Sequence, residues 1–526
     1  MNQNNISATE LFQRVRELLT LPDLEPKTRN KMMHDTLILC CHEGVKDTKQ
    51  AFGNLFSQVD YLCKARGIKV ADKIAIQTMR RHSNSQEPLS GEDLKYDARA
   101  LTLFISAVFE ERIPHEVNVL IPHINRPFQK GLEINNRRIR CIVKNWDSDF
   151  IRVDIDQDAD EEEYLVRLKD EENHIDHTYL WDLLKEGMQL NLLDCQVKQP
   201  IITPRLIVVE PDYLVDISSI ATCFTAFGHH PLLYLLNLMK PRANTQATLL
   251  GNFAGAALDD IINSHGKYQV NETVKSNFRE KALEFCTCPW FDAKKFYTDA
   301  SLQAFNLQQV VDILFPRTAS QAKMSAFRGE SLYDRKKAIL EPSFVCEALG
   351  IQGRVDLMTT DCKLLVEQKS GRNMNIETHQ VDPAYHSYQL EPHYVQLLLY
   401  YGVLQHNFKL SNDRVNIRLL YSKYQPQDGL MVVAYYQKLF KEAIEYRNQL
   451  VAASFEIAKE GFEHTLNEFT PEVLNVAGTQ DFFYNKYLKP QIEAITNPLH
   501  DLSPLEEAYF CRMMTFVLRE QMISKV

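Results

Sequence analysis

Two apolar, strand-forming runs separated by a short polar turn constrain this chain more than any other feature of its sequence. They lie in GIQGRVDLMTTDCKLLVEQKSG, residues 350–371. Asp356 is flanked by apolar residues in the first run, and Glu367 and Lys369 lie near the end of the second. Residues two apart on a strand share one face, so a hairpin would place Asp356 opposite the Glu367–Lys369 pair. Charges beside a buried sheet are costly, and this arrangement therefore predicts a ligand that compensates them.

Two carboxylates and a lysine in this arrangement are typical of metal-dependent phosphodiester hydrolysis. Oxygen ligands with open water positions suit Mg²⁺ or Mn²⁺, which polarise a phosphodiester and supply hydroxide near neutral pH. Lys369 would orient or deprotonate the attacking water, or stabilise charge in the transition state. The bare pattern favours an alternative, an edge hairpin whose surface salt bridge contributes about 0–1 kcal/mol. The apolar neighbours of the three charges place them at the margin of a core and favour the catalytic interpretation.

Composition limits the class of protein. A length of 526 residues predicts roughly three to four domains, and 45% hydrophobic with 24% charged residues is typical of globular proteins. The net charge of −10 argues against coating nucleic acid through overall basicity, although it permits a local grip on one strand. No apolar run approaches the ~20 residues of a membrane span, and the N-terminus lacks a signal-peptide pattern. We therefore expect a cytoplasmic protein, nucleoid-associated if bacterial, with no membrane partner.

The eleven cysteines do not form a recognisable metal framework. Several lie inside apolar runs, which predicts reduced core residues: Cys40, Cys41, Cys141 and Cys346. Cys286 and Cys288 form a lone pair, with no second pair at a spacing typical of zinc sites.

The pattern of apolar and polar residues divides the chain into four parts. Residues 1–115 have apolar positions at three- and four-residue steps and are predicted to be helical. Residues 116–215 contain short alternating runs, from VNVLIPHI at 117–124 onward, which suit a small barrel or a sandwich, and we expect a small, OB-like β-barrel. The acidic run DQDADEEE at 156–163 predicts a solvated loop within it.

The remaining two parts are an α/β core and a helical extension. Residues 216–432 alternate helices and strands in the order helix–strand–strand–helix–strand, which suits a domain built on a mixed sheet. Residues 433–526 are predicted to be helical almost throughout. We expect a multidomain α+β protein overall.

The motifs of the core resemble the PD-(D/E)XK nuclease superfamily, and within it the RecB-like branch. The resemblance rests on GRVD, then LLVEQKSG, then the helix QLLLYYGVL, in which Gln396 and Tyr400 fall on the family pattern Q-x-x-x-Y. It implies a restriction-endonuclease-like core and an acidic residue upstream of the GRVD strand. Glu341 occupies the corresponding place, and Glu347 is a nearer rival.

The order of segments over about residues 180–430 is also similar to the nuclease part of a eukaryotic-type nuclease–helicase of replication and repair. That resemblance implies cleavage of single-stranded or flap DNA. Asp356 and Glu367 would be metal ligands, aided by Glu341, and Lys369 would position or activate the water. Gln396 and Tyr400 would support the site or contact the strand.

Two departures from the family are visible. The family helix beginning G-N carries a metal-binding histidine where this chain has Gly255. Asp259, one turn further on, could project from the same face and substitute for it, but a capped or solvated aspartate is the favoured interpretation. Many relatives also hold an iron–sulfur cluster through one cysteine before this helix and three after the Q-x-x-x-Y helix. Here only Cys511 follows, and His229 and His230 stand near the place of the first cysteine, so no cluster is expected and the histidines are interpreted as helix-start residues.

Three hypotheses follow. The first is a DNA nuclease acting through a basic, aromatic-lined channel. The second is a catalytically weakened binding or scaffolding module. The third is an interaction platform in which the arrangement of Asp356, Glu367 and Lys369 is incidental. Retention of Asp356, Glu367, Lys369 and Gln396 together favours the first. The chain has no GxxxxGK[ST] phosphate loop and ends in an amphipathic helix, which predicts a helicase motor in cis or in trans.

Overall fold

The computed structural model describes most of the chain, and the predicted acidic loop falls almost entirely outside the described residues. Those residues are 6–21, 24–127, 131–155, 163–242, 244–265, 267–381, 386–411 and 414–525. Within these ranges, no helix is both long enough and apolar enough to cross a membrane. The molecule is a multidomain α+β protein, as predicted, with a closed barrel and a mixed sheet.

The N-terminal region consists mainly of helices around their own apolar core. The first helix begins after Ser7, whose hydroxyl accepts a hydrogen bond from the Glu10 N–H in a capping box. Leu37 and Phe104, from two different helices, are fully buried in this core. The elements are α1 (Ala8–Thr20), α2 (Pro26–Val45), β1 (Ala51–Phe52), α3 (Leu55–Ala65), α4 (Val70–Asn84), α5 (Gly91–Phe109) and α6 (His115–Asn118).

Residues 117–124, predicted as the first strand of the barrel, form no strand. Val117 belongs to α6, which begins after Pro114, and its side chain packs into the helical core. Proline has no N–H to donate and fixes φ near the helical value, so it is tolerated where a helix begins. The apolar run therefore closes the helical region, and the barrel begins later than predicted, at Asn136.

The next region is a closed barrel of five strands, which confirms the predicted small barrel. Its strands and the short strands inserted between them are β2 (Asn136–Trp146), β3 (Phe150–Ile155), β4 (Tyr164–Arg167), β5 (Lys169–Asp170), β6 (Ile175–Asp176), β7 (Gln189–Lys198) and β8 (Ile201–Val209). The order around the barrel is β2–β3–β4–β8–β7, with β4 and β8 parallel and the other pairs antiparallel. Alternate inward residues such as Val143, Ile151 and Val166 fill its interior.

A mainly helical segment follows the barrel and covers one face of the main sheet. It contains β9 (Val215–Asp216), α7 (Ile217–Ala221), β10 (Phe224–Thr225), β11 (Gly228–His229), α8 (Leu233–Met239), α9 (Gln246–Asn263), α10 (Val270–Glu280), α11 (Ala282–Thr287), α12 (Ala293–Leu314) and α13 (Ala319–Phe327). Phe253 of α9 and Leu307 of α12 pack in one apolar cluster with Leu364 and Val366 of the sheet.

Six strands form the main sheet, in the order β1–β18–β17–β16–β15–β12. The elements of this part are β12 (Ala338–Leu340), β13 (Ser343–Cys346), β14 (Ile351–Arg354), β15 (Leu357–Thr359), β16 (Leu364–Lys369), α14 (Met374–Thr378), α15 (Glu391–Phe408), β17 (Asn416–Tyr421), α16 (Pro426–Gly429) and β18 (Leu430–Val432). β16 and β17 are parallel, as are β1 and β18, and the other pairs are antiparallel, so the predicted mixed sheet is confirmed. Helix α15 covers the face that carries Leu365, opposite α9 and α12.

The C-terminal region is helical and packs against α15 and the barrel. Its helices are α17 (Gln437–Glu460), α18 (Glu463–Glu468), α19 (Pro471–Leu474), α20 (Lys489–His500) and α21 (Pro504–Lys525). Arg447 and Asn448 of α17 are fully buried and reach the end of barrel strand β8. Cys511 of α21 is a buried residue of the same core.

Candidate active site

Asp356 lies opposite Glu367 in a hairpin, as the pattern of residues predicts. β15 and β16 are antiparallel with Leu357 opposite Val366, so the next step of the register sets Asp356 against Glu367. The Gln368 N–H donates a hydrogen bond of 2.6 Å to Asp356 Oδ2 and fixes that carboxylate beside the second strand.

The first apolar run is divided between two strands, whereas a single strand ending at Asp356 was predicted. β14 ends at Arg354 and pairs with β13 and β9, and β15 begins at Leu357 in the main sheet. Asp356 therefore sits where the chain passes from one sheet to the other. The Tyr400 hydroxyl donates a 2.7 Å hydrogen bond to the Arg354 carbonyl there. A Cβ on Gly353 would lie 3.0 Å from the Tyr400 ring, so this glycine permits the close approach.

Glu367 is a buried carboxyl that its lysine neighbour compensates only in part. Glu367 and Lys369 share the face of β16 that also carries Leu365 and is covered by α15. Lys369 Nζ lies 2.8 Å from Glu367 Oε1, while Oε2 is buried and accepts no hydrogen bond from the described residues. Burial, and then the charge of Asp356, raise the pKa of Glu367 to about 7. Burial also raises the pKa of Asp356, against the hydrogen bond from Gln368.

Glu341 lies beside Asp356, and Glu347 does not. The Glu341 N–H donates a 3.0 Å hydrogen bond to the Asp356 carbonyl, and its carboxylate lies 3.1 Å from Arg354. Glu341 has a φ of +48°, a left-handed conformation that costs a non-glycine residue about 1–2 kcal/mol. Glu347 is exposed and lies 3.9 Å from Arg138 of the barrel. Of the two candidates for the upstream acidic residue, the geometry favours Glu341.

Helix α9 presents one face to this cluster. A Cβ on Gly251 would lie 3.2 Å from Ser370 Oγ, which places that turn of α9 beside the residue after Lys369. Gly255 lies one turn further on, and a Cβ there would meet no atom within 4 Å. The position of the family histidine is therefore open space.

Asp259 of α9 interacts electrostatically with the carboxylates of the cluster. Burial, the carboxylate of Glu341 and then those of Asp260 and Asp356 raise the pKa of Asp259 to about 6, against Arg354. Residues spaced by four face one side of a helix, so Asp259 and Gly255 point in similar directions.

Helix α15 adds a residue that the sequence analysis missed, His393. Its Nδ1 lies 3.1 Å from the Tyr421 hydroxyl, which also accepts a hydrogen bond from the Leu390 N–H. Burial, and then the charge of Lys369, lower the pKa of His393 to about 3, so the ring is neutral near neutral pH. The spacing of three residues before Gln396 was the available signal, because it sets both on one helix face.

The two residues of the Q-x-x-x-Y pattern differ in their surroundings. Gln396 Oε1 is buried and accepts no hydrogen bond in the part of the chain that the structure describes. Burial, and then the charges of Glu367 and Asp356, raise the pKa of Tyr400, so its hydroxyl stays protonated and holds β14 in place. Tyr400 is placed to position the strand before Asp356, and the Gln396 amide oxygen is left available.

No group of three or more His, Cys, Asp or Glu side chains within the described ranges has the arrangement of a metal site. Cys286 is exposed and Cys288 is buried, and Cys511 lies in the C-terminal core. Four carboxyl groups influence one another electrostatically but do not converge on one point: Asp259, Glu341, Asp356 and Glu367.

The two histidines before α8 have different roles. His230 Nδ1 accepts a hydrogen bond from the Leu232 N–H just before the helix, as predicted for a helix-start residue. His229 lies in β11 and bridges two carboxylates, Glu391 of α15 at 2.9 Å and Glu442 of α17 at 2.6 Å. The prediction for His229 was therefore wrong, and the side chain ties two helices together.

Comparisons with known proteins give no family for this chain. A scan against models of protein families finds no match, and a search of curated proteins finds no significant relative.

Proposed function

We propose that this chain is a metal-dependent nuclease of the PD-(D/E)XK type, RecB-like in its order of motifs, with a restriction-endonuclease-like core. One observation carries the proposal, the excess of carboxyl groups over cations around the hairpin. The carboxyl groups are Asp259, Glu341, Asp356 and Glu367 and the cations are Arg354 and Lys369. Glu341 is exposed and Asp259 is half-buried, but Asp356 and Glu367 are largely buried, and their negative charge is unfavourable unless a further cation compensates it.

The residues fit a divalent cation. Glu367 Oε2 has no hydrogen-bond partner among the described residues, and burial raises the pKa of both Glu367 and Asp356. Mg²⁺ is commonly bound by one or two carboxylates with several waters, so a group of three protein ligands is not required. Asp356 and Glu367 would hold Mg²⁺ or Mn²⁺, with Glu341 and Asp259 at its waters, and no iron–sulfur cluster is proposed. The ion, when bound, polarises the phosphodiester and lowers the pKa of a water.

The side chains around the scissile bond have separate tasks in this proposal. The Lys369 ammonium, held by Glu367 Oε1, positions the attacking water and stabilises the developing negative charge on the phosphate. The neutral imidazole of His393, which lies close enough to Lys369 to be influenced by its charge, donates a hydrogen bond to a phosphate oxygen. Tyr400 keeps β14, and with it Asp356, in register. The Gln396 amide contacts the DNA strand.

The substrate class and the setting follow from the resemblance in motif order. We propose single-stranded or flap DNA as substrate, a role in DNA replication and repair, and a helicase motor in cis or in trans. The cytoplasmic, or bacterial nucleoid-associated, location belongs to the same proposal. Arg354, whose side chain is 61% exposed beside the cluster, is a cation available to the phosphate backbone.

Cleavage of end-labelled single-stranded and flap DNA, with Mg²⁺ or Mn²⁺, tests the proposal. Lys369→Ala and Asp356→Ala should each lower the rate at least 100-fold. Lys337→Ala and Asp361→Ala are matched controls, because this exposed pair, 3.1 Å apart, lies near the turn of the same hairpin. Metal-dependent cleavage that survives in both site variants would overturn the proposal.

A second candidate is a nuclease-like module that binds nucleic acid, or acts as a scaffold, without turnover. The open space at Gly255, where the family has a histidine, favours it. Strand binding by the wild type without cleavage under either metal would select this candidate over the nuclease.

A further inference from the structure

A crevice of about 710 Å³ lies between the N-terminal helices and one end of the main sheet. One wall is formed by α3 with Lys73 of α4, and the other by the end of the sheet at which β16 and β17 begin. Pockets for small molecules in proteins usually measure roughly 300–1,000 Å³. The crevice is therefore large enough for a small ligand.

The position of α3 beside the sheet is fixed by backbone contacts. Phe52 of β1 pairs with Val432 of β18, and the Gly53 N–H donates a 3.0 Å hydrogen bond to the Val432 carbonyl. A Cβ on Gly53 would meet the end of the Gln389 side chain, which would have to move to admit any other residue at this crossing. Asn54 then caps α3 through the Ser57 N–H, and the helix starts directly at the sheet edge. The crevice is built by these contacts as a fixed feature of the fold.

Positive charge is concentrated in the crevice, although the chain as a whole has a net charge of −10. Four of the five charged side chains that line it are cationic. They are Lys64 and Lys73 on the helical wall and Lys363 and Arg414 on the sheet wall, with Asp60 as the single acid. Asp60 is shared by the ammonium groups of Lys64 and Lys73, so one carboxylate faces two cations. Two cationic walls that face each other attract a ligand with two or more negative charges.

Aromatic rings line the space between the two charged walls. They are Phe56, Tyr61, Tyr333, Tyr401 and Tyr435. The ring of Tyr435 packs 4.8 Å from that of Tyr401, which is 1% exposed, so the aromatic surface open to a ligand here is that of the partly exposed Tyr435. Stacking of a nucleobase on such a surface contributes about 1–3 kcal/mol per base.

We propose that this crevice binds a nucleoside polyphosphate, with its phosphates between the cationic walls and its base against the tyrosines. The site is separate from the candidate active site. Lys363 immediately precedes β16 and Lys369 ends it, and six residues of strand at about 3.3 Å each place the two side chains about 20 Å apart. The proposal stands on the crevice alone and goes beyond the nuclease function.

Isothermal titration calorimetry with ATP, on the full chain, tests the proposal. The wild type should bind ATP in the micromolar range. The double variant Lys64→Ala/Lys363→Ala, which removes one cation from each wall, should bind at least tenfold more weakly. Lys95→Ala/Lys198→Ala, which removes two exposed lysines outside the crevice, should bind as the wild type does. Asp356→Ala should also bind like the wild type, which separates this proposal from the nuclease proposal.

The aromatic surface has its own variant and probes. Tyr435→Ala should weaken ATP binding at least fivefold, and pyrophosphate should bind at least tenfold more weakly than ATP. Equal binding of pyrophosphate and ATP would overturn the assignment to a nucleotide. Binding of a 12-residue deoxythymidine oligonucleotide that the Lys64→Ala/Lys363→Ala variant loses, with no binding of ATP, would assign the crevice to a strand instead. Absence of ATP binding by the wild type would likewise overturn the proposal.

Discussion

The ionised form of the Glu367 carboxyl group is less stable in the folded protein than it would be in water. Its side chain is 7% exposed, and burial together with Asp356 raises its pKa from 4.5 to about 7. A group whose pKa is raised by folding stabilises the protein fully below the unfolded value and loses that contribution as the pH rises through the folded value. A shift of this size corresponds to about 3 kcal/mol.

The metal-free protein should therefore lose stability between about pH 5 and pH 8, and Glu367→Gln should remove most of that loss. The amide carries no charge, so it no longer repels Asp356 at neutral pH. Urea unfolding in EDTA at several pH values measures the difference. The same variant should cleave at least 100-fold more slowly than the wild type. Identical pH profiles for the two proteins would show that Glu367 ionises normally.

Gly255 allows a test in which a metal-binding side chain is added to the site. A Cβ at this position of α9 would meet no atom within 4 Å, so the glycine leaves room for a side chain to begin there. We expect Gly255→His to raise the cleavage rate several-fold at limiting Mn²⁺, because it adds a nitrogen ligand near the carboxylates. Ala256→His, one position away and turned by about 100°, is the matched control and should have no such effect. A drop in rate with Gly255→His and unchanged stability would show that this space serves the substrate.

At the scale of elements, α15 carries His393, Gln396 and Tyr400, and its start is held by His229. Burial opposes the imidazolium of His229, but hydrogen bonds and charges from Glu391 and Glu442 outweigh it and raise its pKa to about 9. The stabilisation is then complete below about pH 6.5, the unfolded value, and is lost as the pH rises through 9.

His229→Gln should destabilise the protein by about 3 kcal/mol at pH 7, because it leaves Glu391 buried beside a neutral amide. His230→Gln is the control, since His230 forms no ion pair in the described part of the chain and should change stability by about 1 kcal/mol or less. Denaturant unfolding at pH 7 and at pH 10 separates the two outcomes. A loss of stability in His229→Gln that is as large at pH 10 as at pH 7 would show that His229 does not stabilise the protein through its charge.

Sequence pattern predicted the elements that depend on local order and missed those that depend on distant partners. The hairpin was predictable because Asp356 and Glu367 are close in sequence and alternate with apolar residues. The break before Asp356 was not, because it depends on β14 pairing with β9, more than a hundred residues earlier. β1 has two residues and pairs with Met431 and Val432, and a strand of that length leaves no periodic signal.

The contribution of α9 and α15 to the site could be predicted only in part. Gln396 and Tyr400 were found through a spacing, since one helical turn sets them on a common face. His393 has the same signal but was passed over, because its contact with Tyr421 and its nearness to Lys369 arise only when β16, β17 and α15 pack together. Glu341 and Glu347 could not be separated without the path of the chain between the two small strands.

At the scale of the whole molecule, one buried arginine joins three regions. The Arg447 guanidinium of α17 donates to the carbonyls of Glu210 at 2.9 Å, Tyr213 at 2.8 Å and Gly350 at 3.2 Å, and also to Val209. The first two follow barrel strand β8, and Gly350 directly precedes β14, the strand that leads to Asp356. Each buried carbonyl left without its donor costs about 1–3 kcal/mol. The barrel, α17 and the approach to the candidate active site are therefore coupled through this side chain.

Arg447→Met should destabilise the whole protein by at least 3 kcal/mol and weaken the link between barrel and core. Tryptophan emission reports on this link, because Trp146 and Trp181 belong to the barrel region, while Trp290 is 98% exposed and changes little on unfolding. In the variant, the emission change should occur at lower urea than the loss of helical circular dichroism, whereas the two should coincide in the wild type. Arg447→Lys keeps the charge but not the planar fork of donors, so its stability should lie between those of the wild type and Arg447→Met. Coincident transitions in Arg447→Met at unchanged urea would show that the barrel is held by its apolar contacts alone.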